Sequence, residues 1–179
     1  LTDIGNNYRI RHHEKNKTDI SIDTKCIHAG YEPKNGEPRQ IPIIQSTTFK
    51  YDTSEDMGAL FDLEKSGYFY TRLQNPTNDF VAAKLASLEG GTAGMLTSSG
   101  QAANFFAFFN ICEAGSHIVA SSSIYGGTFN LISITLKKMG IDATFVEPDA
   151  SEDELNAAFK SNTRAVFGET IANPALTVL

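Results

Sequence analysis

HIVASSSIYGGTFNLISITLKKMGIDATFV, residues 117–146, sets the fold class. His117 to Ser121 is a short apolar run that suits a strand, and about Gly127 to Lys138 suits a helix. Lys137 and Lys138 lie where cations offset the negative end of a helix dipole. Ala143 to Val146 then returns to a strand-like run. Downstream, Ser151-x-x-Glu154 is a capping-box pattern that opens another helix, and Arg164 to Gly168 gives a further strand. Upstream, an apolar helix is expected from Gln101 to about Cys112, preceded by a short strand from Ala93 to Thr97. Before that strand, Asn75-Pro76 starts a helix that carries Phe80, Val81, Leu85 and Leu88 and stops at Gly90-Gly91. Strands and helices that alternate through short links predict an α/β fold: a parallel-rich sheet flanked by helices with right-handed crossovers. Val119, Val146, Val166 and Phe167 suit strands buried on both faces.

Further toward the N-terminus the rhythm is lost. Ser54 to Lys65 reads as a short helix: Ser54 caps, Glu55 and Asp56 suit the positive start, and Met57, Leu60, Phe61 and Leu63 form the stripe. Gly67 ends it. Between Lys25 and Tyr51, Pro33, Asn35-Gly36, Pro38 and Pro42 break any long element, so an extended segment lying on a surface is expected. Leu1 to about Thr24 is polar and without period, an arm or extension. His12 and His13 are neighbours on that arm, and adjacent histidines rarely converge on one ion, so no metal site is expected. The organisation expected is an extension and inter-subunit arm over residues 1–68, then the first part of a larger domain over residues 69–179. The ending Leu176-Thr177-Val178-Leu179, just past a strand, suggests a sequence cut off rather than completed.

Composition narrows the class. At 41% hydrophobic and 20% charged, the chain is of globular type and not wholesale disordered. A net charge of −6 with no dense basic cluster argues against nucleic-acid binding. No apolar stretch approaches the roughly 20 residues of a membrane helix, so no membrane role is expected. The two cysteines, Cys26 and Cys112, form no C-x-x-C pair, which fits a reducing cytoplasm rather than a disulfide framework or zinc site. Cys112 follows Phe105, Phe106, Phe108, Phe109 and Ile111 and reads as a buried thiol, not a reactive one.

Four segments carry polar chemistry where such a sheet gathers its ligand, at the carboxyl ends of strands. Ser98-Ser99-Gly100-Gln101 opens the apolar helix, where free N–H groups and the helix dipole favour an anion, although taken alone it is more simply an ordinary turn with a helix cap. Arg72 can present a planar fork to phosphate with the Tyr70 hydroxyl beside it, or make a surface ion pair. Tyr125, after the strand at His117, can lie over an aromatic ligand or pack in the core. Asn173, before Pro174, can offer its amide to a polar ligand edge or bond its own backbone. Together they describe a phosphate-bearing aromatic cofactor with a stacking ring.

These segments resemble the Cys/Met-metabolism family of fold-type I pyridoxal 5'-phosphate (PLP) enzymes, from about Asp23 to the last residue. The resemblance is carried by Tyr-x-Arg-x-x-Asn-Pro-Thr (Tyr70 to Thr77) and Ser-Gly-Gln-Ala-Ala (Ser99 to Ala103). It continues through Ser-Ser-Ser-Ile-Tyr-Gly-Gly-Thr-Phe-Asn-Leu (Ser121 to Leu131) and Gly-Glu-Thr-Ile-Ala-Asn-Pro-Ala-Leu (Gly168 to Leu176). The Ser-Gly-Gln-Ala-Ala run looks like the O-acetylhomoserine sulfhydrylase branch. The resemblance implies PLP held at its phosphate by Ser99, Gly100 and Gln101, with Tyr125 stacked on the ring and helping in proton transfer. It implies Asn173 near the ring oxygen and the substrate carboxylate. It also implies a homo-oligomer, a dimer of dimers, in which Tyr70 and Arg72 clamp the cofactor phosphate of the partner subunit. The implied reaction joins O-acetyl-L-homoserine and sulfide into homocysteine and acetate; methionine γ-lyase and the cystathionine enzymes are the alternatives within the family. A non-catalytic module with a retained phosphate pocket is the alternative outside it. The family's cofactor-bearing lysine is expected beyond Leu179, since Lys84, Lys137 and Lys160 stand in no matching context, so this chain alone is expected to be inactive.

Overall fold

The computed structural model describes residues 20–179, so most of the aperiodic stretch Leu1–Thr24, with the His12–His13 pair, lies outside the described residues. The described chain divides into two compact units, one up to Leu96 and one over Thr97–Leu179.

The first unit holds three helices, α1 (Ile22–His28), α2 (Ser54–Phe61) and α3 (Pro76–Glu89). Helix α1 departs from expectation, because it begins inside the stretch read as an aperiodic arm. Ser21 caps it by accepting from the Thr24 N–H, and Lys84 of α3 donates to the Cys26 and Ile27 carbonyls at 3.0 and 3.2 Å. Tertiary bonds thus complete a helix too short to stand on propensity. The contact is close: a Cβ at Gly30, whose φ is +85°, would lie 2.4 Å from the Phe80 carbonyl oxygen. Helix α2 is capped by Thr53 rather than Ser54 and stops at Phe61, before the expected Lys65, where Leu63 turns into left-handed backbone at φ 58°. Helix α3 starts and stops as read: the Asn75 Oδ1 accepts from Thr77 N at 2.9 Å, and Gly90 closes it at φ 67°. Of its apolar residues, Phe80, Val81 and Leu88 are half-buried. Pro76 and Ala82 are buried, while Leu85 is 47% exposed.

The expected strand at Ala93–Thr97 is absent as a strand, with no ladder partner among the described residues. A strand exists only by pairing, and this segment packs instead on α3: a Cβ at Gly94 would lie 2.7 Å from the Ala82 carbonyl oxygen.

The second unit orders as α4 (Gly100–Ile111), β1 (His117–Ser121), α5 (Gly126–Asn130), β2 (Asp142–Val146), α6 (Glu152–Ala158) and β3 (Thr163–Phe167). The sheet order is β2-β1-β3 with both pairings parallel. Consecutive strands that pair in parallel require helical crossovers, as the alternation implied. Helix α5 runs directly into a π-helical stretch, Leu131–Leu136, which places Leu131, Ile132 and Leu136 in the core. Bonds from i to i+5 bring Leu131 and Leu136 onto one face. The Ser151–Glu154 capping box opens α6 as expected.

Central strand β1 is buried throughout, and the core gathers on it from Phe108, Cys112, Ile124, Ile132, Leu136 and Ile141. Cys112 is buried as expected, and burial pushes its thiol pKa up. Strand β3 corrects the expectation of burial on both faces. Phe108 meets Phe167 at 5.4 Å between ring centroids on one face, whereas Val166 on the other is 62% exposed. Alternation, not a continuous apolar run, marks a strand covered on one side. His117, fully buried on β1, joins all three strands: Nδ1 lies 2.9 Å from Thr163 Oγ1 and Nε2 2.9 Å from Thr144 Oγ1.

Candidate active site

The N-terminus of α4 presents free backbone donors. Ser99 caps the helix, its Oγ accepting from Ala102 N at 3.1 Å, while its carbonyl accepts from Ala103 N. Gly100 and Gln101 are the first two helical residues, so their N–H groups have no partner in the helix, and none elsewhere among the described residues. The space beside Gly100 is open, since apart from its chain neighbours and its own helix's backbone no atom lies within 4 Å of where a Cβ would stand. Two donors beside open space at the positive end of a twelve-residue helix fit a phosphate.

Side-chain bonds lock this helix start to the next one. Gln101 Nε2 donates to the Gly127 carbonyl at 3.1 Å, and the buried Thr128 hydroxyl donates to Gln101 Oε1 at 3.4 Å. Asn104 Nδ2 donates to the same hydroxyl at 3.1 Å. Gln101 therefore reaches this cluster through its side chain while its N–H stays free, a second task that the sequence reading did not foresee.

Tyr125 closes the loop after β1 and is 49% exposed among the described residues. Its ring lies against Gly127, where a Cβ would approach Tyr125 Cε1 to 2.4 Å. Glycine is what lets an aromatic face stand there. Glu169 lies just beyond β3, within the Gly168–Leu176 motif, and nothing in that motif marks its role. Its Oε1 accepts from Tyr125 N at 3.1 Å and its Oε2 from Asn173 N at 3.3 Å. The only signal for it in the sequence was an acidic residue directly after a strand, at the sheet's carboxyl edge.

Asn173 is exposed, and its side-chain amide has no hydrogen-bond partner among the described residues. It sits in a small hairpin closed by the Ile171–Val178 bridge, and the Asn173–Pro174 peptide is cis. Ser99, Gly100, Gln101, Tyr125 and Asn173 thus belong to one hydrogen-bonded neighbourhood of the second unit. They fit a phosphorylated aromatic group, offering free donors, an exposed ring and an unengaged amide.

Tyr70 and Arg72 belong to the first unit. They follow a two-stranded antiparallel contact in which Thr48 bridges to Tyr70 and Thr71 N donates to the Thr47 carbonyl at 2.9 Å. Asn75 fixes the turn beneath them by donating to the Ile44 carbonyl and to Thr71 Oγ1. The Arg72 guanidinium carbon lies 5.1 Å from the Tyr70 ring centroid, and the side chain makes no salt bridge among the described residues, against the ion-pair alternative. A cleft of about 380 Å³ in this unit, between α3 and residues 91–94, contains none of the sequence-identified residues. Among the described residues no acidic, cysteine or histidine group could hold a metal, and no helix is long and apolar enough to cross a membrane.

Residues 23–179 match the family described as Cys/Met metabolism PLP-dependent enzyme. The chain is 43% identical over 170 residues to an O-acetyl-L-homoserine sulfhydrylase of Corynebacterium glutamicum, covering 94% of this chain and 39% of that protein. It is 41% identical over 158 residues to an L-methionine gamma-lyase of Fusobacterium nucleatum subsp. polymorphum, covering 88% of this chain and 40% of that protein. A crystal structure from Campylobacter jejuni that carries N'-pyridoxyl-lysine-5'-monophosphate aligns with a TM-score of 0.79 at 36% identity, over 89% of this chain and 39% of that one. The chain thus spans about two fifths of the length of the relatives it matches. With most of its length inside the match and a parallel sheet in accord, the chain belongs to the Cys/Met-metabolism family of PLP-dependent enzymes.

Proposed function

We propose that this chain is the cofactor-gripping N-terminal part of an O-acetyl-L-homoserine sulfhydrylase, which makes homocysteine and acetate from O-acetyl-L-homoserine and sulfide. The cofactor part of the reading rests on the unengaged N–H groups at Gly100 and Gln101, tied by the Gln101 side chain to the helix that follows Tyr125, and the choice of reaction on the sulfhydrylase relatives. PLP, when bound, supplies an electron sink for a substrate carbanion. The chain's own residues do the holding. Gly100, Gln101 and the Ser99 hydroxyl receive the phosphate, Tyr125 lies on the ring and assists proton movement, and Asn173 meets the ring oxygen and the substrate carboxylate. Tyr70 and Arg72 serve a partner subunit's phosphate within a homotetramer, and residues 1–68 form the arm that brings them there. An Arg72 that has no salt bridge among the described residues suits that task. Two free thiols, one of them buried, suit a cytoplasmic enzyme.

Methionine γ-lyase is the second reading, favoured by a relative of nearly equal identity. Product analysis with the complete protein separates the two. Homocysteine from O-acetyl-L-homoserine and sulfide is expected; α-ketobutyrate and methanethiol from methionine in its place would reject the first reading. Residues 1–179 alone are expected to turn over neither substrate. Lys84, for one, spends its ammonium on the end of α1.

A further inference from the structure

We propose that Glu169 is a positioning residue, a single carboxylate that sets Tyr125 and Asn173 in place relative to each other; the inference rests on the cofactor reading above. Strands β1 and β3 are neighbours and parallel, so the loops that follow them leave the sheet at the same edge. Past Ser121 and Phe167 the ladder stops, and nothing in the sheet fixes how those loops stand to one another. Glu169 supplies the missing link. One oxygen takes the Tyr125 N–H at 3.1 Å and the other takes the Asn173 N–H at 3.3 Å.

The bonds go to backbone, so the Tyr125 ring and the Asn173 amide remain free to face a ligand. Tyr125 has no side-chain cap bond at the start of α5, which makes the Glu169 contact an external hold on that helix entry. An ionised carboxylate suits two N–H donors because it only accepts. A glutamine offers one oxygen and one NH₂, and the NH₂ would face an N–H, donor against donor. It can therefore keep one loop and must release the other.

The test compares wild type, Glu169→Gln and Glu169→Ala in the complete protein. The readings are backbone amide exchange at Tyr125 and Asn173, the visible circular dichroism of the protein loaded with PLP, and the PLP dissociation constant. In Glu169→Ala, exchange is expected to quicken at both amides and the dissociation constant to rise about tenfold, the scale of one charge-assisted hydrogen bond. The dichroic band is expected to shrink while the thermal midpoint stays near wild type. Glu169→Gln is expected to lose protection at one amide only and to fall between the two in affinity. Unchanged exchange in both variants overturns the proposal. So does a uniform gain in exchange across the sheet with a lowered midpoint, which is the mark of a merely structural residue. If Glu169→Ala does not fold, Glu169→Gln decides by whether one amide or neither is released. A wild type that takes up no PLP rejects the functional reading instead, and the exchange rates then judge the tie by themselves.

Discussion

At the scale of single residues, Gly127 and Arg72 carry the sharpest consequences. A methyl at position 127 would stand 2.4 Å from the Tyr125 ring, well inside van der Waals contact. The ring is half-exposed and can swing away, so Gly127→Ala is expected to leave the thermal midpoint nearly unchanged. The visible dichroism of bound PLP should fall, because the stacking partner has moved; an undiminished band would count against Tyr125 as that partner. The Arg72 guanidinium lies by the Tyr70 ring and makes no salt bridge among the described residues. Arg72→Ala is expected to weaken PLP uptake by the complete protein about tenfold or more, the scale of a lost charge-assisted contact to phosphate, as read by fluorescence titration. Uptake untouched by that change would remove Arg72 from the site.

At the scale of elements, the strands and helices of the second unit were legible because each carries its own local signal. The run His117–Ser121 is a strand to the residue, and the Ser151 box and the Asn75-Pro76 start were found for the same reason. What stayed hidden depends on partners distant in sequence. The carbonyls that close α1 are held by Lys84, and Ala93–Thr97 lacks the pairing that would make it a strand. Glu169 is a comparable case, since its worth lies in the N–H of a residue far back along the chain. The His117 bridge likewise could not be read from sequence, and it has a pH signature. Burial, then Lys160, depress the imidazole pKa, while Asp142 opposes them. The folded value therefore lies below the unfolded one, and the unfolded chain binds the proton more readily. The contribution is complete above about pH 6.5 and is lost as pH falls through the depressed folded value. Urea midpoints should accordingly drop between about pH 7.5 and pH 5, and the part due to this group should vanish in His117→Asn. An equal drop in that variant would assign the effect to other groups.

At the scale of the whole molecule, large apolar side chains stand in solvent on several elements. Phe106, Phe109 and Ile111 on α4 and Val166 on β3 are each 46% exposed or more. Large apolar side chains exposed in this number favour association with another surface. Residues 1–179 expressed alone are therefore expected to self-associate and to bind a hydrophobic dye, by light scattering and dye fluorescence; a monodisperse, dye-silent monomer would contradict this. One buried imidazole also governs the fidelity of assembly. If β2 slid by one position, Ala143 or Phe145 would replace Thr144 as the neighbour of Nε2, and neither side chain can bond it. The orphaned nitrogen would cost about 1–3 kcal/mol, so a misaligned sheet is penalised from within, before any ligand arrives to select the correct one.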